Sequence, residues 1–112
     1  MRWLSTFLFL LSFSTLPAQG TTLNRTLLHD GAERQYSLYL PDAYTGDESW
    51  PLVLNLHGYT GASALQIVLT DMNPVADTGR FLVVYPQGLE IEDPSGGELP
   101  LLPPTGTGWN LT

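Results

Sequence analysis

The sequence predicts an α/β fold in which a β-hairpin leads into a parallel βαβ unit. Two continuous apolar runs, 51–56 and 81–86, have the length and composition of strands that are buried on both faces of a parallel sheet. The segment between these runs is long enough for a crossover connection, and its apolar residues recur at helical spacing. A segment in which apolar and polar residues alternate precedes the first run, and this pattern is typical of a half-exposed strand near a sheet edge.

The first 20 residues predict a secretory signal peptide. Arg2 provides the positive charge, residues 3–16 form the apolar region, and small residues provide a cleavage site after Ala18 or Gly20. A membrane anchor needs about 20 consecutive apolar residues, whereas this run is shorter and rich in serine. We therefore expect one mature domain over 21–112 that is secreted (extracellular or periplasmic), with no stable membrane insertion.

The charge and composition of the chain exclude several classes of partner and site. The 112 residues include 4 Lys plus Arg and 11 Asp plus Glu, for a net charge of −7. Loss of Arg2 with the signal peptide makes the charge one unit more negative. Because such a surface repels phosphate, we expect no nucleic-acid partner. Cysteine is absent, which excludes a thiol nucleophile and a cysteine-ligated metal, and we expect neither a metal nor a cofactor.

The segment before the first apolar run predicts the β-hairpin. Residues 22–29 and 33–40 have strand composition, and the second alternates apolar and polar side chains. Asp30-Gly31 lies between them, and this pair favours a tight turn because both residues tolerate a positive φ. Pro41 ends the second strand, and a polar loop leads to the first apolar run.

The connection between the two apolar runs predicts two helices. Ser63 and Gln66 have the spacing of a capping box, in which both side chains satisfy free N–H groups at the start of a helix. We expect this helix to cover 63–72 and a short second helix to cover 74–77 and end at Gly79. The stripe expected to face inward consists of Leu65, Val68, Leu69 and Met72.

Residues 87–112 are rich in proline and glycine and predict a loop without periodic structure. The predicted elements cover only one face of the sheet, and strands this apolar are an aggregation hazard when exposed. We therefore expect the sequence to be the N-terminal part of a larger domain. The alternative is a small domain that is completed by self-association.

The turn after the first apolar run carries the main functional signal. His57-Gly58 ends the strand, and in open α/β sheets ligand sites lie outside the carboxyl ends of the strands. Glycine at 58 and 61 lets the backbone bend sharply and present N–H groups to a substrate oxygen. We predict the N–H of Tyr59 or Thr60 as an oxyanion donor, with His57, Gly58 and Gly61 shaping the loop. The alternative is an ordinary strand-to-helix turn without catalytic duty.

Other candidate residues give weaker signals. His57 has no partner serine or carboxylate at a recognisable spacing, so a structural hydrogen bond is favoured over a general-base role. Trp109 is a candidate for lining a substrate cleft, and core packing is the alternative. The acidic residues of the last segment match no calcium-binding motif, so a solvated loop is favoured for Glu90, Glu92, Asp93 and Glu98.

Four blocks of sequence together carry a resemblance to a known family. In order and spacing, residues 34–41, 51–58, 76–88 and 108–110 resemble the start of secreted esterases of the polyhydroxybutyrate depolymerase and feruloyl/acetylxylan esterase group. The resemblance implies an α/β-hydrolase fold, Ser-His-Asp ester hydrolysis, and a polyester or esterified polysaccharide as substrate. In that group the nucleophile, the acid and the histidine follow the tryptophan-asparagine block. No catalytic triad residue is therefore carried over to this sequence.

Two hypotheses from different classes remain open at this point. The first is a secreted serine ester hydrolase, of which this sequence is the N-terminal part. The second is a non-catalytic exported module that binds carbohydrate or mediates adhesion. A Gly-x-Ser-x-Gly motif encoded after Thr112 would favour the enzyme, and a stop codon there would favour the module.

Overall fold

The computed structural model describes residues 19–109, which form a mixed α/β arrangement of six strands and two helices. The elements are β1 (Thr21–His29), β2 (Ala32–Leu40), β3 (Leu52–Leu54), α1 (Ser63–Thr70), α2 (Met72–Gly79), β4 (Leu82–Pro86), β5 (Leu89–Glu92) and β6 (Thr105–Gly108). Residues 1–18 and 110–112 lie outside the described part, so the signal peptide stays a prediction. Within the described part, no helix is long and apolar enough to cross a membrane.

β1 and β2 form the hairpin that the sequence predicts. They pair in antiparallel orientation along their full length. Asp30 and Gly31 have φ angles of 47° and 73°, so both central residues of the turn lie in the left-handed region. This is the geometry that an Asp-Gly pair favours, because it matches the twist of the flanking strands. The predicted hairpin is confirmed.

The two apolar runs become neighbouring parallel strands. β3 pairs with β4 in parallel, and β4 pairs with β2 in antiparallel orientation, which gives the strand order β1-β2-β4-β3. The predicted parallel βαβ unit is confirmed. β3, however, has only 3 residues and lies at the edge of the sheet formed by the described residues. The sequence predicts a longer strand in the middle of the sheet.

Both helices pack on one face of the sheet. Tyr39, Val83 and Tyr85 point to this face, and no more than 4% of each is exposed. Two phenol groups also connect the strands to α2, because the Tyr39 hydroxyl donates to Asp77 Oδ1 at 2.8 Å and the Tyr85 hydroxyl donates to Asn73 Oδ1 at 2.7 Å. We call the face of the sheet under α1 and α2 the covered face.

The opposite face of the sheet is open within the described residues. Leu52 and Leu54 are in register with Leu82 and Val84, and strand alternation places all four opposite to Val83. Leu52 is 53% exposed and Leu54 is 63% exposed. The expectation that this strand is buried on both faces is therefore wrong for residues 19–109, since no element of this part packs there. We call this surface the open face.

The start of α1 differs from the predicted capping box. Ala62 is the N-cap residue, and no side chain caps this end. The Ser63 N–H donates instead to Gln87 Oε1 at 2.9 Å, and Gln66 Nε2 donates to Asn55 Oδ1 at 2.8 Å. The capping box is wrong because partners that are distant in sequence bind the groups it would use.

The predicted inward stripe of the first helix is also wrong. Its first three members are more than half exposed: Leu65, Val68 and Leu69. Ile67 and Met72 pack against the buried cluster instead. The reason is that apolar residues lie on more than one side of α1, and helical spacing alone does not select the side that packs. Asp71, with a φ of 45°, also ends α1, so Met72 belongs to α2. α2 confirms the second helix, although it starts earlier than predicted. The predicted glycine cap is wrong, because Gly79 is the last helical residue and Arg80, with a φ of 57°, is the left-handed C-cap.

The segment after β4 contains a second sheet that the sequence does not predict. β5 and β6 pair in antiparallel orientation over 4 residues each. β6 reads Thr-Gly-Thr-Gly, a composition without apolar alternation, and glycine is depleted in strands. The expectation of an irregular loop is therefore wrong here. This β5–β6 hairpin lies against the turn that follows β3.

Candidate functional site

The turn 57–61 leaves the carboxyl end of β3 and leads to α1. The Gly61 N–H donates to the Gly58 carbonyl at 3.0 Å, which closes the turn. A Cβ at Gly61 would lie 2.8 Å from the Gly58 oxygen, so glycine is required there. A Cβ at Gly58 would meet nothing within 4 Å. Of the two glycines that the sequence predicts to shape the loop, only Gly61 is required on steric grounds.

Thr60 adopts a left-handed backbone conformation, with a φ of 63°. This conformation is unfavourable for a β-branched residue and persists only where surrounding contacts impose it. Such residues cluster at functional sites, at a cost of about 1–3 kcal/mol each. The contact that holds this one is a hydrogen bond from the Thr60 N–H to the Thr107 carbonyl on β6, at 2.8 Å.

The His57 ring is buried and uses both of its nitrogens locally. Only 3% of the residue is exposed. The Gly88 N–H donates to Nε2 at 2.9 Å, and Nδ1 lies 2.7 Å from the Gly58 carbonyl oxygen. These two contacts assign the neutral tautomer with the proton on Nδ1, since Nε2 must accept and Nδ1 must donate. In this geometry the ring shapes the turn and has no free nitrogen to act as a general base.

The β5–β6 hairpin contacts the turn through side chains as well. The Thr107 hydroxyl donates to the Gly61 carbonyl, and the Trp109 Nε1–H donates to the His57 carbonyl at 2.8 Å. The indole ring also lies beside the imidazole ring, with 5.1 Å between the two centroids. The hairpin therefore holds both ends of the turn.

Two glycines of β6 make room for the Tyr59 ring. A Cβ at Gly106 or at Gly108 would lie 3.3 Å from an atom of that ring. The ring therefore packs closely on the strand, and its hydroxyl donates to the Pro103 carbonyl at 3.0 Å. Partial burial raises the pKa of the Tyr59 hydroxyl, as do the nearby carboxylates of Asp93 and Glu90, so the group stays a neutral donor.

The two predicted oxyanion donors differ in their surroundings. The Thr60 N–H is already bound to Thr107, whereas the Tyr59 N–H has no acceptor among residues 19–109. Tyr59 and Thr60 also line a shallow groove of about 270 Å³, together with exposed apolar side chains of α1, Leu65 and Leu69. Of the two, only Tyr59 has an N–H without an acceptor among residues 19–109.

The remaining candidates lie apart from that groove. The Trp109 indole donates to a backbone carbonyl of the turn, and Trp109 is not among the residues that line the groove. The Asp93 carboxylate accepts hydrogen bonds from the Ser95 hydroxyl, the Ser95 N–H and the Gly97 N–H, at 2.7, 2.8 and 3.1 Å. The bonds from Ser95 hold the pKa of Asp93 below its ordinary value. Over residues 19–109, no three His, Asp or Glu side chains converge as metal ligands do.

The contribution of the β5–β6 hairpin to the site is what the sequence interpretation missed. The signal available was the Thr-Gly-Thr-Gly segment, in which two β-branched residues alternate with glycines. Such a segment is too short and too rich in glycine to be recognised as a strand without the structure.

Comparison with known proteins finds similar solved structures but no sequence match. No protein-family model matches the chain, and no curated protein matches it either. The chain is similar to a solved structure described as a ferulic acid esterase, with 19% identity and a TM-score of 0.46. The match covers 62% of this chain and 31% of that chain, so this chain spans less than a third of the matched protein. A likeness of this size shows neither the α/β-hydrolase fold nor the function.

Proposed function

We propose that this chain is the N-terminal part of a secreted carboxylic ester hydrolase and that the Tyr59 N–H is a donor of its oxyanion hole. The observation that carries the proposal is a backbone N–H without an acceptor among the described residues, in a turn that neighbouring elements hold on both sides. The turn follows a parallel strand at its carboxyl end, where α/β proteins place their ligand sites.

The chemistry of ester hydrolysis explains why such a turn is useful. Attack on the ester carbonyl turns its oxygen into an oxyanion, and a donor that is already in place stabilises this charge without reorganisation. One such donor contributes about 10²–10³ in kcat. The hydrogen bonds at Thr60, Gly61 and His57 fix the backbone on both sides of Tyr59.

The turn supplies no nucleophile, so the proposal includes a continuation of the domain. In the esterase group that the sequence resembles, the triad follows the tryptophan-asparagine block at 109–110. The proposed substrate class is correspondingly broad: a neutral ester of a polyester or of an esterified plant polysaccharide. A carbohydrate-binding or adhesion module is the alternative outcome of the test below.

The test compares the product of the complete open reading frame with the 112-residue chain. We expect the complete product to hydrolyse p-nitrophenyl esters and to be labelled by a serine-directed fluorophosphonate probe. The 112-residue chain should show neither property, because it lacks the nucleophile. If the folded complete product neither hydrolyses esters nor reacts with the probe, the proposed function is wrong. Ester hydrolysis by the purified 112-residue chain would contradict the assignment of the nucleophile to a later segment.

A further inference from the structure

We propose that the β5–β6 hairpin is a clamp that fixes the direction of the Tyr59 N–H, with Thr107 and Trp109 as its positioning residues. The inference rests on the proposed function, because it concerns the donor that the function requires. It adds a second element to the site, whose positioning residues Thr107 and Trp109 are 46 and 52 positions away in sequence from the residues that their side chains bind.

The direction of the Tyr59 N–H depends on the peptide bond that precedes it. Residues 19–109 contain no cis peptide bond, so the Tyr59 N–H points opposite to the Gly58 carbonyl. That carbonyl accepts hydrogen bonds from the Gly61 N–H at 3.0 Å and from His57 Nδ1 at 2.7 Å. Two donors on one carbonyl oxygen restrict rotation of this peptide plane. Whatever fixes these donors therefore fixes the proposed oxyanion donor.

The segment that leads into the hairpin fixes one of these two donors, His57 Nδ1. The Gly88 N–H binds His57 Nε2 at 2.9 Å, which leaves Nδ1 as the nitrogen that donates to Gly58. Trp109, at the other end of the hairpin, binds the His57 carbonyl through Nε1 at 2.8 Å. The side chain and the backbone of His57 are thus held by the two ends of the same hairpin.

Thr107 fixes the other donor, the Gly61 N–H, through two of its own atoms. Its carbonyl accepts the Thr60 N–H at 2.8 Å, and its hydroxyl donates to the Gly61 carbonyl. These contacts hold Thr60, which has the unfavourable φ of 63°, and Gly61, whose N–H binds the Gly58 carbonyl. Without the hydroxyl contact, the left-handed conformation of Thr60 has less support, and the turn gains freedom to relax.

The test is steady-state kinetics of ester hydrolysis by the complete open-reading-frame product. Thr107→Val keeps the shape and the backbone of the strand but removes the hydroxyl, and Thr107→Ser keeps the hydroxyl. Trp109→Phe keeps an aromatic ring next to His57 but removes the indole N–H. Thr105→Val is the matched control: Thr105 lies on the same strand and is exposed, and its side chain makes no hydrogen bond within residues 19–109.

We expect Thr107→Val and Trp109→Phe each to lower kcat about tenfold, with KM within about twofold of wild type. The reason is that a displaced donor stabilises the transition state less but leaves substrate binding unchanged. Thr107→Ser should retain more than half of the wild-type kcat, and Thr105→Val should match wild type. Thermal melts of each variant serve as a readout of folding. A merely structural contact would lower the melting temperature without this change in kcat.

The outcomes separate this inference from the function on which it rests. If wild type hydrolyses esters and both Thr107→Val and Trp109→Phe keep its kcat, the clamp is wrong while the proposed function stands. An equal loss of kcat in Thr105→Val, or no recovery in Thr107→Ser, would also overturn the clamp. If wild type itself hydrolyses no ester, the proposed function fails and the clamp fails with it.

Discussion

The two faces of the four-stranded sheet differ sharply in how completely they are packed. On the covered face, Val83 and Tyr85 have 0% exposure, and α1 and α2 lie over them. On the open face, Leu52 and Leu54 of the neighbouring strand are more than half exposed. Both sets of side chains are large and apolar, so the sequence of the strands does not distinguish the two faces.

The difference shows which face of the sheet is packed within residues 19–109. The covered face has its apolar contacts and its phenol hydrogen bonds in place. The open face has the composition of a packing surface, but no element of residues 19–109 packs against it, and exposed strands of this kind favour association. The turn 57–61 is also held by described residues, since Gly88, Thr107 and Trp109 bind it through hydrogen bonds.

The largest effect should come from placing a charge on each face of residues 21–112, which would be the mature chain after loss of the predicted signal peptide. Val83→Asp buries a carboxylate without a partner and should abolish cooperative folding, at a cost of several kcal/mol. Leu54→Asp places the same charge on the open face, where water solvates it. We expect this variant to keep the wild-type circular dichroism spectrum and to self-associate less than wild type, as measured by light scattering after size exclusion.

The same pair of variants can also break the comparison. If Leu54→Asp unfolds the mature chain as Val83→Asp does, the open face is packed in solution. A monodisperse monomer with a sharp melt for the unmodified mature chain would likewise contradict the self-association that we expect from its exposed leucines.

A smaller effect on the free energy of unfolding should appear at high pH, and it should come from the phenol groups of the covered face. Burial raises the pKa of Tyr39 and of Tyr85 above the ordinary value of 10.0, and for Tyr39 the hydrogen bond to Asp77 acts in the same direction. The folded state therefore binds these phenol protons more tightly than the unfolded state does. This contribution to stability is present below pH 10.0 and is lost as the pH rises through the raised pKa values of the folded state.

The measurement is urea unfolding of the Leu54→Asp chain as a function of pH. We expect the free energy of unfolding to fall above pH 10.0, and the fall to be shallower in Tyr85→Phe, which removes one of the two phenols. Equal slopes for the two chains would show that Tyr85 is solvated and that the covered face is looser than the structure indicates.

Local patterns in the sequence predict much of the fold. Asp30-Gly31 determines its hairpin because both residues tolerate the φ angles of that turn. The apolar runs predict a parallel pair because their spacing requires a crossover. The inward face of α1 is not predictable in this way, because apolar residues lie on more than one side of the helix. Ile67 packs against the buried cluster, whereas Leu65 and Val68 are exposed.

In the candidate site, too, local patterns predict some features, while others depend on residues distant in sequence. The position of the turn 57–61 after an apolar run is a local property, and the sequence predicts it. The bond from the Thr60 N–H to Thr107 joins residues 47 positions apart in the printed sequence, and no local pattern indicates it. That bond is also what distinguishes Tyr59 from Thr60, which the sequence leaves as equal candidates.

The most direct test of the central claim is the kcat of Tyr59→Pro in the complete open-reading-frame product, compared with Tyr59→Ala. Both variants lose the ring and its hydroxyl, but only proline removes the N–H. Proline at Thr60 is unsuitable, because a φ of 63° excludes it and the N–H binds Thr107. With folding verified by circular dichroism and melting, we predict that Tyr59→Pro lowers kcat about a hundredfold or more below Tyr59→Ala, with similar KM. Equal kcat values for the two folded variants would contradict the assignment of the Tyr59 N–H as an oxyanion donor.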